Sequence, residues 1–153
     1  MSAATPPLAI RDTPNMGRGV YATEAIARGT CLVVCQGWIA PSDKLDDDWH
    51  AMQVGPDEWL CSAGGNLDDY INHSCDPNAG FVTGEPALFA LRDIAAGDQI
   101  AWDYSTSIAE AGWQLRCLCG SATCRGMIRP WLELSEFDRD RLRPIALAFL
   151  REG

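Results

Sequence analysis

Short apolar runs separated by glycine, proline and polar turns fill most of the chain before residue 105. Two of these stretches share one pattern at a spacing of 68 residues: residues 21–34 (YATEAIARGTCLVV) and residues 89–102 (FALRDIAAGDQIAW). Ala, Ile, Ala and Gly recur at matching places. Each copy predicts a short strand, a turn at Gly29 or Gly97, and a second strand. Two copies are too few for a solenoid, so the repeat implies two segments with the same structural job. Residues 59–62 predict another strand, closed by the Gly64-Gly65 turn. Residues 81–83 and 87–90 bracket Gly84-Glu85-Pro86, the pattern of a hairpin. The polar stretch 43–48 predicts a loop or a short helix start. The body is therefore mainly β.

The pattern changes near the C-terminus. Ser135 and Asp138 have the spacing of a helix-starting capping box, with Asp in place of the preferred Glu. Leu142, Ile145 and Phe149 follow at i, i+3 and i+7, an apolar helical stripe. Pro144 is expected to kink this helix or open a second one. Such a stripe fits a helix packed on its own domain; the sharper alternative is a homodimer contact or a lid beside the active site.

A chain of 153 residues with 47% hydrophobic and 22% charged positions is expected to be one soluble domain. Its net charge of −9 disfavours direct nucleic-acid binding and would attract a basic protein or lysine-rich tail. Acidity that serves only solubility is the plainer reading. The N-terminus has no basic region followed by an apolar run, and no stretch approaches the ~20 apolar residues of a membrane span. The expectation is a cytoplasmic protein without membrane contact. Its seven cysteines are an odd number, so reduced thiols and metal are expected rather than disulfides.

Three thiols form a Cys117-x-Cys119-x4-Cys124 cluster, and Cys75 lies upstream in a polar turn, Asn72-His73-Ser74-Cys75. Together they could supply a closed, structural four-thiolate zinc site joining two remote segments. Cys31, Cys35 and Cys61 fall in apolar runs and are expected to be small buried residues. Gly17-x-Gly19-x-x-Ala22 has dinucleotide-fold spacing, but it lacks the required preceding strand and following helix. Its glycines would instead let backbone amides approach another ligand. Asn72 and His73 offer directional hydrogen bonds. Trp102 and Tyr104 could form an aromatic wall that desolvates and orients an amine.

Taken in order, Gly17-x-Gly19, Asn72-His73-Ser74-Cys75-x-Pro77-Asn78, Gly97-Asp98-Gln99-x4-Tyr104 and Cys117-x-Cys119-x4-Cys124 resemble a SET-domain protein-lysine methyltransferase with a post-SET zinc motif. The resemblance covers roughly residues 8 to 126 and is closest to compact, bacterial-like members. It implies a β-clip fold of small curled sheets with a C-terminal pseudoknot. The implied organisation is a SET domain over 8–112, a post-SET zinc motif over 113–126 and a helical extension over 127–153.

By the same resemblance, S-adenosylmethionine would be contacted by Gly17, Arg18, Gly19, Asn72, His73 and Leu118. Zn2+ would be held by Cys75, Cys117, Cys119 and Cys124. A substrate lysine would enter from the opposite face through a channel formed by Trp102, Tyr70 and Trp49, with His50 as the alternative to Trp49. Tyr104 would be the catalytic residue, aligning a neutral amine with the sulfonium methyl. Trp102 stands where relatives commonly carry Phe or Tyr, and is expected to crowd the channel. Asp69 stands where they usually carry Arg near the cofactor. The rival reading is a non-catalytic SET-like module that holds basic protein tails.

Overall fold

A computed structural model describes residues 6–151; the N-terminal residues read for their lack of a leader, and the last two of the helical extension, lie outside them. Along the chain run β1 (Leu8–Asp12), β2 (Arg18–Ala22), β3 (Cys31–Val34), β4 (Trp38–Ala40), β5 (His50–Gly55) and β6 (Glu58–Ser62). They are followed by β7 (Asn72–His73), β8 (Ala79–Gly80), β9 (Ala87–Ala90), β10 (Gln99–Trp102), β11 (Leu115–Arg116), β12 (Met127–Ile128) and α1 (Glu136–Leu142). The strands make four small sheets, ordered β1-β2-β10-β7, β3-β9-β8, β4-β6-β5 and β11-β12. Before residue 105 the helical content is limited to 3-10 turns. Among the described residues, no helix is long and apolar enough to cross a membrane.

The repeated pattern marks two segments that clasp each other. Ile26 and Ile94 form a reciprocal antiparallel bridge, each N–H donating to the other's carbonyl at 2.8 Å. On one side, Gly29 N–H donates to the Ala90 carbonyl and Ala90 N–H to the Thr30 carbonyl. On the other, Gly97 N–H donates to the Ala22 carbonyl and Ala22 N–H to the Asp98 carbonyl. Every partner in one set stands 68 residues from its counterpart in the other. Gly29 and Gly97 have φ of 87° and 91°, where a Cβ is disfavoured. The two copies therefore have the same structural job, a shared pseudo-two-fold joint. Ile26 and Ile94 carry that joint into the main core, beside Val20, Leu32, Leu88 and Ile100.

Elsewhere the chain departs from its pattern for local reasons. The strand pairing with β9 is β8, not residues 81–83. Phe81 turns fully into the core and its N–H goes to the Ile145 carbonyl, so the ladder stops at Gly80. Alternation on β3 buries Leu32 and leaves Cys31 exposed, and Cys35 is half-buried; of the three outlying cysteines only Cys61 is buried.

Ser135 caps α1 as its spacing predicts, its Oγ accepting from Asp138 N–H at 3.1 Å. The helix lasts seven residues, and Pro144 follows inside a 3-10 turn. Leu142 is buried with the fully buried Trp131, while Ile145 and Phe149 pack against the same cluster. The stripe is thus occupied by the chain's own body, while Phe137 on α1 and the nearby Leu132 stay exposed. Arg151 fastens the tail, donating to the Phe81 carbonyl at 2.7 Å and the Ala146 carbonyl at 2.8 Å.

Because Ile26 and Ile94 occupy equivalent places, Ile26→Ala and Ile94→Ala should each cost about 2–5 kcal/mol in denaturant titration. The reciprocal joint predicts that their double variant departs from additivity.

Candidate active site

Residues 71–78 lie along β10, the strand that leads to Tyr104. β7 pairs with β10 in parallel, Asn72 opposite Ala101 and His73 opposite Trp102. Ser74 N–H donates to the Trp102 carbonyl at 3.1 Å. Asn78 then behaves like a piece of strand: its Oδ1 accepts from Ala101 N–H and its Nδ2 donates to the Gln99 carbonyl, both at 2.9 Å. Asn72 Nδ2 donates to the Arg18 carbonyl at 2.9 Å and to Gln99 Oε1 at 3.0 Å. Gly19 is needed for this approach, since a Cβ there would lie 2.6 Å from Gln99 Oε1 and 3.1 Å from Asn72 Nδ2. Gly17, with φ of 68°, closes the turn whose carbonyl accepts from Thr13 N–H.

His73 is buried, and both its ring nitrogens are engaged. Nδ1 accepts from Tyr104 N–H at 3.0 Å, so the neutral ring carries its proton on Nε2, 3.3 Å from Cys75 Sγ. Burial holds the ring neutral, pulling its pKa down to about 4 with help from nearby Arg125 and against the Asp103 carboxylate. The ring side chain therefore has no polar atom left for a ligand.

Cys75, Cys117, Cys119 and Cys124 meet, their sulfurs all within 4.8 Å of one another. Cys75 and Cys117 are 3.7 Å apart, against about 3.8 Å across a tetrahedral ion with ~2.3 Å metal–sulfur bonds. Four converging thiols with no carboxylate or imidazole ligand fit zinc in a closed structural site. Burial pushes Cys75 up to about 11 and Cys117 higher still, so a cation is needed to hold these two as thiolates.

Two cavities flank this turn. One, of about 250 Å³, is bordered by Met16, Asn72, His73, Leu118 and Tyr104. Asn15 Nδ2 reaches the Leu118 carbonyl across its rim at 3.5 Å. The other, of about 260 Å³, is bordered by His50, Ile71, Leu88, Trp102 and Tyr104, with Asp68, Asp69 and Glu110 also on its lining. Among the described residues Tyr104 alone lines both. Its hydroxyl donates to the Ile71 carbonyl at 2.7 Å, and burial pushes the phenol well above its usual range, keeping it protonated.

Other predicted residues sit differently. Gly17, Arg18 and Gly19 are outside the 250 Å³ lining, behind Asn15 and Met16, which border it. Trp49 stacks edge-on with Trp38 at 5.1 Å, away from both cavities, and His50 takes the wall proposed for it. Tyr70 stands behind His50, ring centres 6.2 Å apart, and is not in the lining. Trp102 does line the larger cavity, wedged between Phe81 and Tyr104 at 5.0 and 4.7 Å. Asp69 accepts from Ser62 Oγ at 2.9 Å and Asn66 N–H at 3.1 Å, a capping box on the side of the larger cavity.

The SET domain family model matches residues 17–105, more than half of the chain. The chain belongs to the SET-domain family. In an alignment 137 positions long that covers 78% of this chain, this SET protein is 45% identical to the putative histone-lysine N-methyltransferase 1 of Plasmodium falciparum (isolate 3D7), of which it spans 2%. KRYPTONITE, solved with mCHG DNA and SAH, matches with a TM-score of 0.67 at 23% identity, covering 79% of this chain and 28% of that one. A second KRYPTONITE complex, with mCHH DNA, an H3(1-15) peptide and SAH, matches with a TM-score of 0.63 at 23% identity, covering 79% of this chain and 29% of that one. The SET chain thus spans a small part of the relatives it matches.

Two residues of this SET domain carry no recognisable signal in the sequence. Asp103 and Arg125 join in a buried, forked ion pair with both contacts at 2.8 Å. Each is adjacent to a conspicuous residue, Tyr104 or Cys124, but only the fold brings them together.

The purified protein should hold one zinc per chain. Cys75→Ser should lose it to a chelator concentration that the parent protein resists, as read by a colorimetric zinc assay.

Proposed function

We propose that this chain is an S-adenosylmethionine-dependent protein-lysine N-methyltransferase. The observation that carries this reading is a pair of cavities whose linings, among the described residues, have Tyr104 alone in common. A group-transfer enzyme with two separate substrates needs two pockets meeting at one point, and methyl transfer needs the donor, methyl and amine in line there. The relatives' names as histone-lysine N-methyltransferases, and the SAH and H3 peptide bound by KRYPTONITE, support the same reading.

In this reading the cavity beside Asn72, His73 and Leu118 takes the methyl donor. Gly17, Arg18 and Gly19 act from behind through their backbone, and His73 through its main chain only. S-adenosylmethionine supplies an electrophilic methyl group on a sulfonium. The larger cavity takes the lysine side chain, with Trp102 and His50 as walls. Asp68, Asp69 and Glu110 on its lining, and the net charge of −9, favour a basic protein segment as substrate.

Tyr104 orients the amine. Its own proton is committed to the Ile71 carbonyl, so its oxygen presents lone pairs to an N–H of the incoming lysine. The apolar walls of Ile71, Leu88 and Trp102 desolvate the side chain and favour the neutral, nucleophilic amine. No side chain needs to form a covalent bond, and positioning supplies most of the acceleration. The four cysteines fasten the loop carrying Leu118, just after β11, to the segment that follows Asn72 and His73 of β7. In the proposed organisation, residues 8–112 form the catalytic body, 113–126 the zinc clamp and 127–153 the packed extension.

The rival binding-module reading rested on Asp69 and Trp102. Asp69 is engaged in its capping box beside the larger cavity, so its charge is not directed at the donor side. Trp102 leaves a cavity of about 260 Å³, with room for a lysine side chain.

Labelled methyl groups should pass from S-adenosylmethionine to basic proteins. Tyr104→Phe should lower kcat by about 10²-fold with little change in donor affinity by calorimetry; undiminished turnover would remove Tyr104 from the mechanism. Trp102 should restrict the product to few methyl groups. Trp102→Phe is expected to add higher methylation states in the mass spectrum of a product peptide.

A further inference from the structure

We propose that Arg125 is a positioning residue for Tyr104, one that makes the placement of the tyrosine depend on the cysteine cluster. Only its kinetic arm rests on the methyltransferase reading. Arg125 follows Cys124 directly, and its guanidinium reaches across 22 positions of sequence to Asp103, the residue before Tyr104. Nη1 donates to Asp103 Oδ2 and Nη2 to Oδ1, both at 2.8 Å, while Nη2 also donates to Ser105 Oγ at 3.2 Å. The Asp103 side chain is fully buried and that of Arg125 is 13% exposed. A forked pair so enclosed is rigid and weakly screened, unlike a surface ion pair.

Asp103 is also the cap of the single 3-10 turn that begins at Tyr104, its Oδ1 accepting from Ser105 N–H at 3.0 Å. Arg125 therefore holds the carboxylate that sets the start of this turn. From the other side, Tyr104 N–H is held by His73 Nδ1. Both supports lead to one atom. His73 Nε2 lies 3.3 Å from Cys75 Sγ, and the backbone N–H of Arg125 donates to the same sulfur at 3.4 Å. The Tyr104 backbone is thus braced by two arms that converge on a cysteine of the cluster, and its hydroxyl reaches the carbonyl of Ile71, which lines the larger cavity. A lysine at position 125 would keep the charge but not the fork.

The chain has three tyrosines, Tyr21, Tyr70 and Tyr104, so 3-fluorotyrosine labelling gives three fluorine resonances, with Tyr104 assigned through Tyr104→Phe. In zinc-replete Arg125→Lys the Tyr104 resonance should move while that of Tyr21 stays. Chelating zinc from the parent protein should move the same resonance. In methyl transfer, Arg125→Lys should lose about 10²-fold in kcat with KM for donor and peptide nearly unchanged. The neutral pair Asp103→Asn with Arg125→Gln, which retains hydrogen bonding without buried charge, should recover part of that loss. If Arg125→Lys does not fold, the neutral pair takes its place with a smaller resonance shift and a smaller kcat loss than that expected, and parent values for both overturn the proposal. A Tyr104 resonance at its parent position in the zinc-replete variant overturns the proposal, as does a loss confined to KM. If the parent protein transfers no methyl group, the methyltransferase reading falls, and the fluorine comparison still decides the role of Arg125.

Discussion

The parallel pairing of residues 71–78 with β10 is the constraint on which the site depends. Parallel neighbours require a long crossover, and here only two residue pairs form the ladder. So short a ladder would slip if it stood alone. Asn78 extends it with both atoms of its amide, and Asn72 anchors its other end to β2 through the Arg18 carbonyl. Once this register is fixed, Asn72 faces one cavity, Ile71 faces the other, and Cys75 arrives among the three C-terminal thiols. A shift of one residue would exchange the faces and break all three placements together.

Polar groups at the centre of this molecule are matched almost one to one. His73 uses both nitrogens, Asn72 and Asn78 use their amides, and Asp103 meets a guanidinium and a backbone N–H. Only Arg125 Nε of this group is left without a partner, and a network so nearly satisfied is rigid, because any displaced member leaves a buried partner without a bond. Rigidity of this kind suits a reaction whose acceleration comes mainly from alignment. The walls that need no alignment are apolar, and the acidic groups stand on the lining of the larger cavity.

Much of this was legible in the sequence where local chemistry dictates local shape. The turns at Gly29 and Gly97, the cap at Ser135 and the stop at Pro144 follow from backbone preferences, and the meeting of Cys75 with the C-terminal thiols follows from metal-ligand logic. The repeat announced a common role without revealing that its copies hold each other. Contacts set by tertiary geometry were not legible. Phe81 left its expected strand because the core and the Ile145 carbonyl claimed it. His50, not Trp49, lines the cavity, since Trp49 is engaged edge-on with Trp38, a pairing no linear pattern reports. Arg125 and Asp103 carry no such signal, since nothing in a linear pattern reports that two distant residues will share one buried space.

The pseudo-two-fold joint reaches beyond the strands it links. Carrying the same 68-residue offset forward sets Cys35 against Asp103 and Gln36 against Tyr104, and Cys35, Gln36 and Tyr104 all line the larger cavity. The hollow lies where the two arms of a doubled unit come together, with one arm ending in an amide and the other in a phenol. Likeness in the arms supplies the frame, and unlikeness at their tips supplies a direction: a symmetrical hollow would have no preferred end, whereas this one has one wall, Tyr104, that it shares with a second chamber.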